Sequence, residues 1–552
     1  MARDVRLALA AQAARARERF LDCIGEDKAA STQDETLKQC VAPNAQTEFG
    51  REHRFEDIRD IDAYRERVPV REYEQLRPWV DRAAEGAPSV LTAEAPLRFW
   101  KTTGTTSRPK RIPVTQTASA RVTESWFVVS ATQMHYYPEL NERADTILLT
   151  HISPKSLKET VPSGVPYCST TEAPLEVRRG QEPFIAPWFL RLQSVVEDDA
   201  ERLYFLVCYA ALHDLFAIGC LHPSRFQTIV ATLDRHRTRL LQELAEGTVL
   251  GERIRDPRPD RARELHAIAD KTGTLLPHDV WPSLRFLTSW SGSYIDRHLP
   301  LMERAFCKDF IPMPSVSSEC FMTTTIDKDP LGQPLNLRGG LFEFIPTGAE
   351  IRPTMRTRLF HEVEQNQRYE IVISTFGGLY RYAIGDIFRV TGFVGGVPRL
   401  EYVGRRGVTD MTGEKLAYEQ AVEVVTTTLA PFGDEVSNFA VCAMQPGPSN
   451  PVPHYVLVIE AGGAWAHDEL ERVGSVLDEG LKAANSRYEL KRNFRDLGGA
   501  RLEVVSRGTF VKYRELLVSR GMPAGQLKDK MVYDPGAPVL EDLLRIHREL
   551  SA

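Results

Sequence analysis

Residues 99–115 read FWKTTGTTSRPKRIPVT, a run in which hydroxyls, one glycine and basic side chains are crowded between two short apolar stretches. Backbone N–H groups freed by Gly104, the hydroxyls of Thr102, Thr103, Thr105, Thr106 and Ser107, and the ammonium of Lys110 all donate hydrogen bonds. The stretch therefore has the chemistry of an anion cradle. It is not a Walker phosphate loop, GxxxxGK[ST], which needs glycine where Pro109 stands and a helix afterwards, whereas an extended run follows here. An exposed hairpin turn has the same composition, and taken alone the stretch fits that description first. Other chemistry-bearing residues are as ambiguous singly. Asp386 follows a glycine in YRYAIGD at the end of an apparent strand, where an isolated aspartate ordinarily caps a turn. Glu319 closes SVSSE (315–319), where a buried, ion-paired glutamate is the plain alternative. Lys528 and Lys530 in QLKDK have the ordinary character of solvated charges. Gly292 in TSWSGSY (288–294) permits either a close backbone approach or a tight turn. The histidines, among them His135, His151 and His298, form neither a triad nor a metal spacing.

The elements that must position these groups are of two kinds. Helical periodicity dominates residues 1–80 and returns at 224–247, where Gly247 is placed to end the helix. Short β-branched runs at 145–150, 368–375 and 386–393 are interleaved with it, which gives an α/β fold class. A nearly apolar stretch at 203–221 is interrupted by His213 and Asp214, whose insertion into a membrane would be expensive, so it is expected to be a core helix. From about residue 404 the character changes. A helix at 414–430, two strands flanking QPGPSNPVP (445–453), a long helix at 466–488, a strand near RLEVV and a last helix at 510–520 are expected there. The 552 residues thus divide into a large domain, 1–403, and a small α+β domain, 404–552.

A formal charge of -6 provides no concentrated basic face for nucleic acid or an acidic membrane. The eight cysteines are scattered without CxxC spacing, which fits a reducing, cytoplasmic compartment and excludes a zinc site. The arginine-rich start reads as an exposed amphipathic helix and leaves an organelle transit peptide open.

TTGTTSRPKRIPVT resembles the phosphate loop [ST]-[ST]-G-T-[ST]-x-x-x-K of the adenylate-forming enzyme superfamily. IPVT, FEFIP (342–346), GLYRYAIGDIFRVTGF (378–393), LEYVGRR (400–406) and RGTFVKYRELLVSRGMPAGQLKDK (507–530) resemble, in order, the signatures of one branch, the acyl acid amido synthetases that conjugate auxin and jasmonate, with their bacterial relatives. The resemblance runs from about residue 95 to 532. It implies a large ATP- and acyl-binding domain and a small mobile C-terminal domain. It also implies ATP and Mg²⁺ as cofactors, and a carboxylic acid and an amine, in the first place an amino acid, as substrates. Asp386 would accept the ribose hydroxyls, Arg405 would reach the ribose or a phosphate, and Glu319, beside Ser318 in the adenine motif, would hold Mg²⁺. Lys528 would be carried into the site by the small domain, with Lys530 its nearest competitor. The sequence departs from the pattern at Ser315, where the family often carries tyrosine, and at Ser107 and Arg108, where glycine and lysine are common. Transfer of the acyl group to CoA or a carrier thiol, or nucleotide binding without catalysis, are the rival readings.

Overall fold

The computed structural model describes residues 2–102, 109–143, 147–150, 159–171, 199–221, 223–292, 295, 298–306, 309–447, 452–463, 465–522, 527 and 530–551. Contacts divide the chain into two compact units, the larger built from Met1–Ile295 and Met302–Tyr402, the smaller mainly from Val403–Met522 and Leu527–Ala552. Both mix helices with sheets, as an α/β chain should.

Three sheets shape the larger unit. Arg98–Lys101 pairs antiparallel with Arg111–Val114 and parallel with Tyr167–Cys168. Ile147–Leu149, Ala217–Gly219, Phe286–Trp290 and Asp309–Met313 form a four-stranded parallel sheet in that order. Gln333–Pro334, Val397–Arg405, Tyr382–Val394, Arg368–Ser374 and Leu341–Pro346 form a five-stranded sheet. The core of the unit runs under this last sheet. Phe342, Phe344, Ile371, Ile373, Phe388 and Val390 pack there with helix residues such as Leu37, Leu76 and Val80. In the smaller unit the strand order is Arg501–Val505, His454–Ala461, Val436–Met444 and Val532–Tyr533, with helices Tyr418–Leu429, His467–Ala484 and Thr509–Ser519 among its covering elements.

Several expected elements are divided. The apolar stretch at 203–221 is not one helix: helix Asp199–Ala211 ends before His213, and strand Ala217–Gly219 follows, every residue of it buried. Continuous hydrophobicity suits a strand covered on both faces as well as a buried helix, so the run concealed the change of element. The helix at 224–247 breaks at His236, whose ring lies 4.7 Å from that of Tyr204, into Ser224–Arg235 and Arg237–Glu246. Gly247 ends the second with φ 72. The helix at 466–488 breaks at Asn485, whose side chain accepts from the N–H groups of Arg487 and Tyr488 and so starts helix Ser486–Asn493. A helix beyond the expected last one, Val539–Ser551, buries Val539, Leu543 and Ile546. No helix among the described residues is long and apolar enough to cross a membrane.

Candidate active site

The threonine-rich stretch joins two paired strands. Lys101 faces Arg111 in the register, and the Thr102 N–H reaches the Lys110 carbonyl at 3.4 Å. Thr103, Gly104, Thr105, Thr106, Ser107 and Arg108 lie outside the described residues. At the base of the stretch, the Thr102 hydroxyl is buried and has no hydrogen-bond partner among the described residues. A buried hydroxyl without a partner is costly in a folded protein, and an anion held by the loop would satisfy it.

Lys110 immediately precedes the second strand, Arg111–Val114, and lies against two tyrosines. Its ammonium donates to the Tyr382 hydroxyl at 2.8 Å and stands 5.3 Å and 5.4 Å from the ring centres of Tyr73 and Tyr382. Tyr73 opens helix Tyr73–Ala84, and its hydroxyl donates to the Arg111 carbonyl at 2.8 Å and accepts from the Arg111 N–H at 2.7 Å. Burial pushes the Tyr73 hydroxyl's pKa up, and the negative charges of Asp81 and Glu319 push in the same direction.

Tyr382 and Asp386 share one strand, Tyr382–Val394. Asp386 is not at the strand's end, as its sequence context suggests, but inside it, at an irregularity. Ala383 pairs with Val372 and Ile387 with Glu370, so Ile384, Gly385 and Asp386 stand opposite Ile371 alone. Gly385 takes φ 90 there, a conformation in which a side chain is strained. The bulge re-aims Asp386, which is buried.

Glu319 arrives from the parallel sheet. Asp309–Met313 runs into a tight reversal in which Val316 bridges Phe321, and the Ser317 hydroxyl accepts from the N–H groups of Glu319 and Cys320 at 3.2 Å and 3.4 Å. Ser318 and Glu319 occupy its half-buried tip, beyond the carboxyl end of a parallel strand, where ligands of such sheets are held. The buried Cys320 thiol is pushed up by burial and then by the charges of both Glu319 and Asp386. Lys110 thus lies against Tyr73 and Tyr382, while the charge of Glu319 acts on Tyr73 and, with that of Asp386, on Cys320. Gly292, after the neighbouring strand, has the close approach its type permits, since a Cβ there would stand 2.7 Å from the Tyr402 carbonyl oxygen.

Two expected participants are on the smaller unit's side of the division. Arg405 ends strand Val397–Arg405 and is exposed. Lys528 lies outside the described residues. Lys530 pairs with Asp534 at 3.2 Å and stands 5.5 Å from each of the Tyr418 and Tyr533 rings. Among the described residues no group of three or more His, Cys, Asp or Glu side chains is arranged to hold a metal ion.

Sequence reasoning did not single out Tyr73, Tyr382 or Arg381. Tyr382 had a signal, standing four residues before Asp386 on one strand, whereas Tyr73 had none. Arg381 is wholly buried and pairs with Glu343 through both carboxylate oxygens, at 3.0 Å and 2.9 Å.

The chain matches the GH3 family N-terminal domain over residues 25–312, the central domain over 334–405 and the C-terminal domain over 419–535. An indole-3-acetic acid-amido synthetase of Oryza sativa subsp. indica is 25% identical to it over 90% of this chain and 87% of its own length. One of Arabidopsis thaliana is 24% identical over 90% and 89%. The solved structure of an acyl acid amido synthetase in complex with 2,4-DB superposes with a TM-score of 0.82 at 21% identity, over 96% of each chain. With the N-terminal domain alone matching more than half of its residues, the chain belongs to the GH3 family.

Proposed function

We propose that the chain is an ATP-dependent acyl acid amido synthetase. The observation that carries this reading is that the chain, matched by all three GH3 family domains, holds Lys110 against Tyr73 and Tyr382 while the charges of Glu319 and Asp386 both act on Cys320 in the larger unit. The substrate carboxylate attacks the α-phosphorus of ATP, forming the acyl-adenylate as pyrophosphate leaves. An amine, in the first place an amino acid, then attacks the acyl carbon to give the amide, AMP and a proton. Neither step needs a protein nucleophile, so the residues work by positioning and by stabilising charge.

Lys110 and the hydroxyls of the threonine-rich stretch are assigned to the phosphates and Asp386 to the ribose hydroxyls, with Arg405 assigned to the ribose or a phosphate. Glu319 fits a hard cation that keeps most of its waters and takes one carboxylate beside the phosphates, so it is the residue to hold Mg²⁺, which supplies neutralisation of the developing charge. With Lys530 committed to Asp534, Lys528 is assigned the role of the lysine brought in by the small domain for the first step. The larger domain, 1–403, then binds ATP and the acid, and the smaller, 404–552, moves between the two half-reactions. No disulfide joins the described cysteines, which suits a reducing cytoplasm.

A panel of carboxylic acids assayed by pyrophosphate release tests the reading. Indole-3-acetic acid is included because relatives are named for it, and amino acids, CoA and simple thiols are supplied in parallel as acceptors. Amide formation with an amino acid is expected. A thioester product would move the chain to the thiol-transferring reading, and no pyrophosphate release with any acid would leave only nucleotide binding.

A further inference from the structure

We infer that Tyr73 and Tyr382 are positioning residues for the Lys110 ammonium, a two-ring cradle that aims it before a nucleotide arrives. This rests on the reading that Lys110 meets the phosphates of ATP. A lysine carries four flexible bonds, and ordering one at the moment of binding opposes affinity. Here the ammonium is already restrained by one hydrogen bond, at 2.8 Å, and by two ring faces. The two tyrosines are neutral, so they orient the ammonium without themselves cancelling its charge.

The cradle is itself fixed. Tyr73 is tied by its hydroxyl to the backbone of Arg111, the residue after Lys110, so ring and lysine keep the same register. Tyr382 is held in the sheet opposite Ile373 and bridges Arg71 on its other side. Its ring centre stands 6.1 Å from that of Tyr73, at an interplanar angle of 62°. A helix start, a hairpin and a central strand thus meet at one ammonium.

Titration calorimetry of the full chain with ATP and Mg²⁺ tests this. Tyr382→Phe keeps the ring and removes one hydrogen bond, and should weaken ATP binding about tenfold, the order expected for one such bond to a charged group. Tyr73→Leu removes a ring and both ties to Arg111, and should cost at least as much, whereas Tyr73→Phe keeps the ring and should cost less. The same Tyr382→Phe change made in a Lys110→Ala background should cost nothing further, because the ammonium it aims is gone. An equal loss in both backgrounds would mean that the tyrosine acts on the fold and not through Lys110, and would overturn the inference. So would unchanged binding by Tyr382→Phe and Tyr73→Leu. If Lys110→Ala alone binds ATP as the parent does, the assignment of the loop to phosphate fails, and the cradle with it.

Discussion

Replacing Arg381 by methionine should destabilise the larger unit by about 3–5 kcal/mol, the cost of removing one member of a buried ion pair. The guanidinium uses all five of its N–H groups. Two go to Glu343, at 3.0 Å and 2.9 Å, one to the Thr357 hydroxyl at 3.2 Å, and two to the carbonyls of Arg65 and Val68 at 2.9 Å and 2.7 Å. Arg381 has a fractional exposure of 0% and the Glu343 side chain 1%, so water cannot replace what is removed. After Arg381→Met, Glu343 keeps the Thr357 hydroxyl and the Arg65 Nε at 3.4 Å, a weaker set than a bidentate cation. Adding Glu343→Gln to that variant neutralises the stranded carboxylate and should return part of the loss, a second substitution that stabilises. Scanning calorimetry is the assay, because two units make a single free energy of unfolding ill-defined and the transitions must be followed separately. Arg352→Met, at a side chain 72% exposed, is the matched control and should stay within about 0.5 kcal/mol. If Arg381→Met costs no more than that control, or if Glu343→Gln deepens its loss, the account of the buried pair is wrong.

Asp386→Ala should weaken ATP binding by about 1.5–3 kcal/mol for the charge-assisted bond lost, measured by titration, and unchanged affinity would remove the ribose assignment. Lys528→Ala should slow adenylation by about a hundred- to a thousandfold while amide formation from a supplied acyl-adenylate continues, and equal losses in both half-reactions would point to folding instead. Acid should destabilise both units through buried histidines. Burial holds His53, in the larger unit, and His454, in the smaller, below their ordinary value of 6.5. The unfolded chain therefore takes up the proton first as pH falls, so this stability is whole above 6.5 and is lost progressively below it. Melting curves from about pH 7.5 down to about pH 5 should show that slope, and replacing both histidines by glutamine should flatten it.

What could be read from the sequence was what is local in it. Lys110, Glu319 and Asp386 each sit in a short motif, which is what made them legible. Tyr73 could not be read, because its link to Arg111 crosses from a helix start to a strand 38 residues on and leaves no periodic trace. The contact between Lys110 and Tyr382 spans 272 residues. Within elements, the strand Ala217–Gly219 was hidden because the chain is apolar on both sides of the turn at His213 and Asp214. Helix Val539–Ser551 has Val539, Leu543 and Ile546 at helical spacing, yet it follows DPGAP (534–538), whose breakers read as an ending. Asp386 was placed at a strand end because Gly-Asp suggests a turn, and the structure uses the same glycine to bulge the strand.

That bulge belongs to a longer piece of constrained backbone. Of the non-glycine residues with positive φ among the described ones, Arg54, Ser89, Asn366, Lys415 and Arg495 are exposed and Leu250 is half-buried, whereas Arg381, at φ 46, is completely buried. A conformation that costs about 1–3 kcal/mol persists in a core only where its surroundings over-determine it, and the five bonds of the Arg381 guanidinium do so. The turn before it is equally confined. A Cβ on Gly377 would stand 2.3 Å from the Pro113 carbonyl oxygen, and one on Gly378 2.7 Å from the Leu91 Cβ. Pro113 lies in the strand that follows the threonine loop, and the Thr115 hydroxyl beyond it donates to the Phe376 carbonyl at 3.0 Å. One turn therefore fixes the strand that carries Tyr382 and Asp386 against the strand that begins beside Lys110. The spacing between the group assigned to phosphate and the group assigned to ribose is set by backbone contacts, so substitutions at Gly377 should disturb both ends of the nucleotide together.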